Sequence, residues 1–246
     1  MAKLIGSATE RRKTGMSVLD GAHLLAAFLD AGGEPVEIMV SDAGLQDAEI
    51  SRLLARAKRA HVTHLSDALF DALSTVESPT GVVSSIRTPE PRPASIHAKL
   101  ALLLEDIQDP GNVGTLLRSA AAAGADHVLL SAQCAFAWSP KVLRAAMGAH
   151  FITNIVERAD LAEFLLRYRG QGVALAADGS HSVYEVDLAG PTALVVGNEG
   201  AGLSRGVLEA STIRARIPMP GRIESLNAGT AGSIALFEAV RQRGAR

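Results

Sequence analysis

Three loops of this chain combine glycine with polar side chains in a way that suits ligand binding or catalysis. We name them the first loop (residues 105–118), the second loop (residues 195–204) and the third loop (residues 217–231). Their polar candidates are Asn112 and Arg118, Asn198 and Glu199, and Ser225 and Asn227. Amides, hydroxyls and a guanidinium bind ligands by hydrogen bonds, and glycine lets a ligand approach the backbone closely. Because each loop follows a strand-like apolar run, we expect the three loops to meet at one end of a sheet.

The third loop carries the strongest of these signals. Its strand-like run ends in a Pro/Gly turn, and Ser225 and Asn227 then open a helix that contains Gly229 and Gly232. A glycine inside a helix costs about 1 kcal/mol relative to alanine, so the pair indicates close approach of a ligand or another backbone. The alternative is ordinary capping by Ser225 and Asn227, with tight helix packing as a separate reason for the small residues.

The first loop joins a predicted strand to a predicted helix, whose free N–H groups favour a ligand at its start. Asn112 is predicted to be the N-cap of that helix. Arg118 lies about two turns further on and is expected to direct its guanidinium back toward the loop. The alternative is that Asn112 only caps the helix and Arg118 only forms a surface ion pair.

The second loop resembles a phosphate-binding glycine loop but lacks the Lys-Ser/Thr pair that would hold a nucleotide phosphate and Mg²⁺. Glu199 lies at its centre, where a carboxylate would repel phosphate. The loop therefore suits a neutral or cationic ligand. The alternative is a tight turn with a capping glutamate.

The elements that must position these loops alternate regularly after a proline-dense segment, residues 88–93, which is predicted to be a linker. The predicted strands there are 100–104, 128–131, 151–156, 173–177, 193–196 and 213–217, and the predicted helices are 113–123, 140–147, 161–168 and 226–241. Buried apolar strands that alternate with helices predict an α/β fold, with a parallel sheet covered by helices on both faces. Before the linker, a smaller α/β unit is predicted, with strands 16–21, 36–40 and 81–86 and helices 22–30, 48–60 and 65–73. We therefore divide the chain into domains 1–95 and 96–246.

The amino-acid composition indicates which class of protein this chain belongs to. Of the 246 residues, 48% are apolar and 20% are charged, which is typical of a globular, soluble protein. The chain has neither an apolar run of about 18 residues nor a signal-peptide core near its start, so we expect a cytoplasmic protein without a membrane partner. Cys134 is the single cysteine, which excludes an internal disulfide and a cysteine zinc site. His61 and His64 have no acid or cysteine partner in a metal-binding pattern, so we predict no metal.

The formal net charge of −2 neither indicates nor excludes nucleic-acid binding. Basic residues cluster at 11–13 and on the predicted helix 48–60. Solvated surface charge is the alternative interpretation of either cluster.

In this order and spacing, the three loops resemble the three motifs of the SpoU (TrmH) family, within the SPOUT class of RNA methyltransferases. The matching positions are Asn112, Gly114 and Arg118 in the first loop, residues 197–200 and 202–204 in the second, and residues 217–219 and 225–227 with Ala231 in the third. The smaller unit resembles the family's small, L30e-like domain for RNA substrates at Gly21, Leu24 and residues 81–83. Three positions depart from the family pattern: Ala228-Gly229 replace the usual Val-Ser, and Asp20 replaces the usual Glu.

The resemblance implies a fold, an activity and a set of site residues. The sheet would contain a C-terminal trefoil knot, which ordinary rules of chain connection argue against, and the protein would be a homodimer. The activity would be transfer of a methyl group from S-adenosylmethionine to a ribose 2′-OH of tRNA or rRNA. The implied catalytic residues are Asn112, Arg118, Glu199, Ser225 and Asn227. The implied cofactor-binding residues are Ala176, Ala177, Gly197, Asn198, Gly202, Ile217, Met219, Leu226 and Ala231. The implied RNA-binding residues are Arg11, Arg12, Lys13, Arg52, Arg56 and Arg59.

Three points stay open from the sequence. Family accounts make Arg118 the base, but a guanidinium resists deprotonation and could equally hold a neighbouring phosphate. A doubly wound nucleotide enzyme would also explain the alternating elements, although the spacing of Gly111 and Gly114 does not fit the dinucleotide fingerprint. A catalytically inactive RNA-binding protein of the same fold is the other alternative, and the presence of the polar residues of all three loops argues against it.

Overall fold

The structure is a computed structural model that describes residues 1–74, 79–223 and 225–244. In chain order the strands are β1 (Met16–Asp20), β2 (Glu37–Ser41), β3 (His61–Leu65), β4 (Val82–Arg87), β5 (Leu100–Leu104), β6 (His127–Leu130), β7 (Asn154–Val156), β8 (Gln171–Leu175), β9 (His181–Ser182), β10 (Thr192–Val196) and β11 (Ile213–Arg216). The helices are α1 (Ala2–Gly6), α2 (Ala8–Thr14), α3 (Ala22–Asp30), α4 (Asp42–Gln46), α5 (Ala48–Arg56), α6 (Asp67–Leu73), α7 (Pro110–Ala122), α8 (Pro140–Ala146), α9 (Leu161–Arg167), α10 (Arg205–Ala210) and α11 (Ala228–Gly244). Within the described ranges, no helix combines the length and apolar character that crossing a membrane requires.

The chain forms two compact units, and their boundaries differ from the predicted domains. The first unit comprises residues 1–90 and 138–151, and the second comprises residues 91–137 and 152–246. Helix α8 therefore belongs to the first unit, where Arg144 donates a hydrogen bond to Asp20 at 3.2 Å. Burial raises the pKa of the Asp20 carboxyl, against the opposing effect of Arg144. The functional roles of the two domains stay predictions.

The first unit is built on a mixed sheet. The strand order is β1-β4-β2-β3, in which β4 is antiparallel to β1 and β2, and β3 is parallel to β2. Side chains of the sheet and of helices α3 and α5 form its core, among them Leu25, Ile38, Val40, Ile50 and Leu53. The predicted helix 22–30 is confirmed as α3, whereas the helix predicted over 48–60 already ends at Arg56.

The second unit is a parallel sheet, which confirms the predicted α/β class. Its strand order is β7-β6-β5-β10-β8-β11-β9, and every neighbouring pair is parallel. Helices α9 and α10 cover one face, where Phe164 and Val207 pack in a core with Val195. Helix α11 lies on the other face, against Val196 of the same strand. Strands buried on both faces favour apolar side chains, which occupy all of β5 and every position of β10 except the buried Thr192.

The register of the central strands brings their carboxyl ends to one edge of the sheet. Leu104 of β5 pairs with Val196 of β10, and Leu175 of β8 pairs with Ala215 of β11. The loops that follow these strands therefore leave from the same edge, which is where open α/β sheets bind their ligands.

Candidate active site and cofactor pocket

The three loops meet in one chain of side-chain hydrogen bonds. Asn227 Nδ2 donates to Asn112 Oδ1 at 2.8 Å. Asn112 Nδ2 in turn donates to the Glu199 carboxylate. One residue from each loop thus contacts the next, although 87 residues separate Asn112 from Glu199 and 115 separate it from Asn227. The structure brings these three predicted residues together, and their catalytic roles stay predictions.

The N-cap of α7 is Asp109, so the prediction that Asn112 caps this helix is wrong. Asp109 Oδ1 accepts from the backbone N–H of Asn112 at 2.8 Å, and Pro110 occupies the first helical turn. Proline is favoured there because the first N–H groups of a helix lack partners inside the helix. With the cap supplied by Asp109, the side chain of Asn112 is available to contact the other two loops.

The third loop begins α11 with a side-chain cap. Asn227 Oδ1 accepts from the backbone N–H of Thr230 at 3.1 Å. A Cβ atom added to Gly229 would lie 3.3 Å from Asn112 Oδ1, and one added to Gly232 would lie 2.3 Å from Leu116 Cδ2 of α7. The close approach predicted from these helix glycines is therefore present, as packing of α11 against α7.

A cavity of about 370 Å³ opens beside this hydrogen-bonded chain, between the ends of β8, β10 and β11. All nine predicted cofactor-binding residues line it: Ala176, Ala177, Gly197, Asn198, Gly202, Ile217, Met219, Leu226 and Ala231. Glu199 and Ser225 of the predicted catalytic set line it as well. The cavity volume lies within the range of about 300–1,000 Å³ that is typical of small-molecule sites.

Sequence reasoning missed one polar residue of this cavity, Asp178. Asp178 directly follows Ala177, the last residue of the strand predicted over 173–177. An acid at the end of a predicted strand was therefore the signal that could have identified it. Asp178 and Glu199 are the acids among the residues that line the cavity. Two carboxylates, with no lysine or arginine among the described lining residues, favour a cationic ligand over a phosphate.

Arg118 lies away from this cluster. Its side chain is exposed on α7, it does not line the cavity, and it makes no hydrogen bond or ion pair with any residue that the structure describes. Six residues separate it from Asn112, which corresponds to a rise of about 9 Å along the helix. The expected contact of Glu199 with Asn112 is present, whereas an expected contact of Glu199 with Arg118 is not.

Arg11 is the predicted RNA-binding residue that the structure contradicts. It is only 6% exposed, and its Nη1 donates to the backbone carbonyls of Leu4 and Ile5 at 2.5 and 3.0 Å. Burial lowers the pKa of this guanidinium. Arg11 therefore holds the end of α1 and is not available to a phosphate. The other predicted contacts, Arg12, Lys13, Arg52, Arg56 and Arg59, are exposed.

The residues considered for metal or thiol chemistry have other surroundings. Exposed His64 has Asp42 Oδ1 at 2.7 Å from its Nε2. No group of three or more metal-ligating side chains occurs within the described ranges. Cys134 donates its thiol to the Leu104 carbonyl at 3.2 Å, and burial raises its pKa. Such a thiol stays protonated, so it is not an activated nucleophile.

Comparison with known proteins agrees with this geometry. The sequence model of the SpoU rRNA methylase family matches residues 99–237. The 23S rRNA (guanosine(2553)-2′-O)-methyltransferase RlmP of Bacillus subtilis is 33% identical over 238 residues, which cover 96% of this chain and 92% of the relative. An uncharacterized tRNA/rRNA methyltransferase of Synechocystis is 34% identical, with 95% and 86% coverage. The SpoU methyltransferase AviRb of Streptomyces viridochromogenes, solved in complex with the cofactor AdoMet, superimposes with a TM-score of 0.87 at 27% identity, covering 98% of this chain and 96% of AviRb.

Proposed function

Because the chain belongs to the SpoU rRNA methylase family, we propose that it transfers the methyl group of S-adenosylmethionine to a ribose 2′-hydroxyl of RNA. The observation that carries the proposal is the cavity beside Asn112, Glu199 and Asn227, because its lining contains residues of the second and third loops. Ribosomal RNA is the first substrate to test, since RlmP is named for a 23S rRNA nucleotide.

The lining of the cavity fits S-adenosylmethionine. Small residues such as Ala176, Ala177 and Gly197 expose backbone groups to a ligand, and Ile217 and Leu226 provide apolar surface. The carboxylates of Asp178 and Glu199 suit a ligand that carries cationic groups. A dinucleotide, in contrast, needs phosphate-binding groups, and no basic side chain lines the cavity in the part of the chain that the structure describes.

Methyl transfer requires the protein mainly to align the ribose oxygen with the methyl group. S-adenosylmethionine, when bound, supplies a methyl group that its sulfonium has already activated. The chain must then hold the ribose oxygen in line with that group, so that the C–O bond would form as the C–S bond breaks, with S-adenosylhomocysteine as the leaving group and the hydroxyl proton released to water. Asn112, fixed between Glu199 and Asn227, provides rigid amide groups next to the cavity. Ser225 lines the cavity and is proposed to position the nucleotide.

Arg118 is proposed to bind the RNA phosphate beside the target ribose rather than to accept the 2′-hydroxyl proton. A guanidinium stays protonated in proteins and offers paired N–H donors that match phosphate oxygens. An exposed side chain without partners in the described part of the chain is free for this contact. The exposed arginines of the first unit are proposed to contribute further phosphate contacts.

We also propose the finer features of the family for this chain: a C-terminal trefoil knot, a homodimer and action in the cytoplasm. Support for the knot comes from the segment between β8 and β10. Arg216, at the end of β11, donates to the Gly179 carbonyl at 2.7 Å, and Gln242 of α11 donates to the Val186 carbonyl at 3.0 Å. The segment thus contacts β11 and α11, the two elements that would pass through it in a knot.

The test pairs cofactor binding with product mapping. S-adenosylmethionine at 100 times its Kd should stabilise the protein by about 2.7 kcal/mol, which raises the midpoint of thermal unfolding, whereas NAD at the same concentration should not. Ribose-methylation mapping of rRNA and tRNA from cells with and without the gene should then reveal one missing 2′-O-methyl group. Stabilisation by NAD instead would favour a doubly wound nucleotide enzyme. Cofactor binding with no lost methyl group and no transfer in vitro would favour an inactive RNA-binding protein.

A further inference from the structure

The two residues that follow β5, Glu105 and Asp106, hold the second loop at both of its ends. Glu105 Oε2 accepts from the backbone N–H of Ser204 at 2.7 Å, and its Oε1 accepts from the Ser204 hydroxyl at 2.6 Å. The backbone carbonyl of Asp106 accepts from Asn198 Nδ2 at 2.9 Å. Ser204 ends the second loop and Asn198 lies near its beginning. Two consecutive residues of the first loop therefore bind the second loop near both of its ends. We call Glu105 and Asp106 the loop clamp.

Asp106 can present its carbonyl to Asn198 because its backbone is left-handed, with φ of 55°. Few side chains tolerate this conformation, and aspartate is among those that do. The Ser131 hydroxyl supports it twice. It accepts from the backbone N–H of Asp106 at 2.9 Å and donates to Asp106 Oδ1 at 2.6 Å. The side chain of Asp106 therefore stabilises a backbone conformation that the second loop uses.

The segment between the two ends of the clamp forms much of the cavity wall. Gly197, Asn198, Glu199 and Gly202 all line the cavity, whereas Glu105 and Asp106 do not. Asn198 Oδ1 also accepts from the backbone N–H groups of Gly200 and Ala201, at 2.9 and 3.0 Å. Asn198 is thus the link between the clamp and the interior of the loop.

We propose that Glu105 and Asp106 are positioning residues that pre-organise the second loop for S-adenosylmethionine. The proposal rests on the proposed function. A loop that is already ordered loses less conformational freedom when the cofactor binds, so the clamp raises cofactor affinity without touching the cofactor. Once the cofactor saturates the site, it holds the loop itself, and the rate of methyl transfer depends little on the clamp.

The decisive comparison is Asp106→Gly against Asp106→Ala. Both variants lose the carboxylate that contacts Ser131, but glycine adopts the left-handed conformation freely and alanine does not. We expect Asp106→Ala and Glu105→Ala to raise the Kd for S-adenosylmethionine about tenfold, and Asp106→Gly to stay within about threefold of the wild type. At saturating cofactor, kcat of all three should stay within about threefold of the wild type. Arg205→Ala is the control, because Arg205 is the exposed neighbour of Ser204 and, among the described residues, pairs with Glu209 alone.

Titration calorimetry with S-adenosylmethionine and steady-state methyl transfer provide the readouts. Wild-type affinity in both Asp106→Ala and Glu105→Ala would overturn the proposal, as would equal weakening of the alanine and glycine variants at residue 106. Loss of kcat at saturating cofactor, with Kd unchanged, would show that the loop clamp acts in the methyl-transfer step. That result would also overturn the proposal. If the wild type itself neither binds S-adenosylmethionine nor transfers methyl groups, the proposed function fails instead, so the two failures are distinguishable.

Discussion

At the residue scale, the orientation of the site amides is fixed by a helix cap. Asn227 Oδ1 accepts from the backbone N–H of Thr230, so its Nδ2 is the group that faces Asn112. Asn112 must then accept with its oxygen and turn its own Nδ2 to Glu199. Because one backbone donor sets the direction of the whole chain of hydrogen bonds, a change at Asn112 affects both of its partners.

Asn112→Asp is therefore expected to impair methyl transfer more than Asn112→Ala. The aspartate would place a second carboxylate in contact with Glu199, and two like charges at hydrogen-bond distance repel each other. We expect kcat/KM of the aspartate variant to be about tenfold below that of the alanine variant at pH 8. The gap should narrow at high ionic strength, because salt screens the repulsion between the two carboxylates. A gap that does not change between low and high salt would show that charge repulsion is not its cause.

Arg118→Ala is expected to abolish methyl transfer and leave cofactor affinity within about twofold of the wild type. The reason is that Arg118 lies outside the cavity lining and is proposed to contact RNA. Arg118→Lys keeps the charge but loses the paired donors, so it should retain part of the activity. Single-turnover transfer and calorimetry with the cofactor provide the measurements. Wild-type turnover in Arg118→Ala would mean that the active centre lies elsewhere.

Tyr168 gives the second unit a measurable dependence on alkaline pH. Its hydroxyl donates to the Ala98 carbonyl at 2.7 Å, and burial raises its pKa to about 12. In the unfolded chain the phenol ionises near pH 10. The unfolded state thus releases its proton first, so the free energy of unfolding is unaffected below about pH 10 and falls between about pH 10 and 12.

Tyr168→Phe should remove this dependence and cost about 1 kcal/mol at pH 7, because the Ala98 carbonyl loses its donor. Phenolate absorbance of the wild type should show a late step near pH 12 that the variant lacks. Urea unfolding at pH 7 and above pH 10 measures the stability difference, which should shrink as the pH rises. An unchanged difference would indicate that Tyr168 ionises alike in the folded and unfolded chain.

At the element scale, the site depends on the contact between α7 and α11. Asn112 of α7 bonds Asn227, the residue just before α11, and the Ser119 and Ser233 hydroxyls lie 2.7 Å apart further along the two helices. Gly232 allows this approach, because an added Cβ would lie 2.3 Å from Leu116 Cδ2 and 3.1 Å from Val196 Cγ2. Leu116 is fully buried and has little room to move.

Gly232→Ala should therefore destabilise the protein by about 1–3 kcal/mol, the usual cost of overpacking a core. Gly206→Ala in α10 is the matched control, because an added Cβ there meets nothing within 4 Å. The control should be neutral or gain up to about 1 kcal/mol from the better helix propensity of alanine. Chemical denaturation measures both. Equal stability of the two variants would show that α11 can move away from α7 at no cost.

The elements also show how far the sequence predicts this fold. Apolar runs identified β5 and β10, and helical periodicity identified α3 and α9, because each buries a regular pattern of side chains. Strand β3 was missed, since its residues are mostly exposed or half-buried and carry no alternation. Within the site, the convergence of the loops followed from their positions after parallel strands. The position of Arg118, the cap at Asp109 and the burial of Arg11 depend on side-chain contacts that spacing alone does not encode.

At the scale of the whole molecule, packing between residues that are distant in sequence fixes the order of the strands, which local sequence patterns do not predict. Strand β11 lies between β8 and β9, and no local pattern in the sequence fixes that order. The order matters because β8 lies between β10 and β11, so the segments that follow all three strands line one cavity. The net charge of −2 likewise does not show where basic side chains are exposed on the surface. On α5 of the first unit, Arg52 and Arg56 are exposed, and the ion pair of Arg56 with Asp30 at 2.6 Å lies in solvent.

Replacing Arg52 and Arg56 together by glutamine should weaken RNA binding and leave cofactor affinity unchanged. A surface ion pair such as Arg56–Asp30 contributes about 0–1 kcal/mol, so Arg56 can exchange its partner for a phosphate. If both arginines contact phosphates, the slope of log affinity against log salt should become shallower by about 1.4–1.8. The matched control is Arg167→Gln with Arg205→Gln, which removes the same charge from two exposed ion pairs of the second unit. Filter-binding titrations at several salt concentrations measure both slopes. An equal loss of slope in the two double variants would mean that overall charge, rather than this face of α5, attracts the RNA.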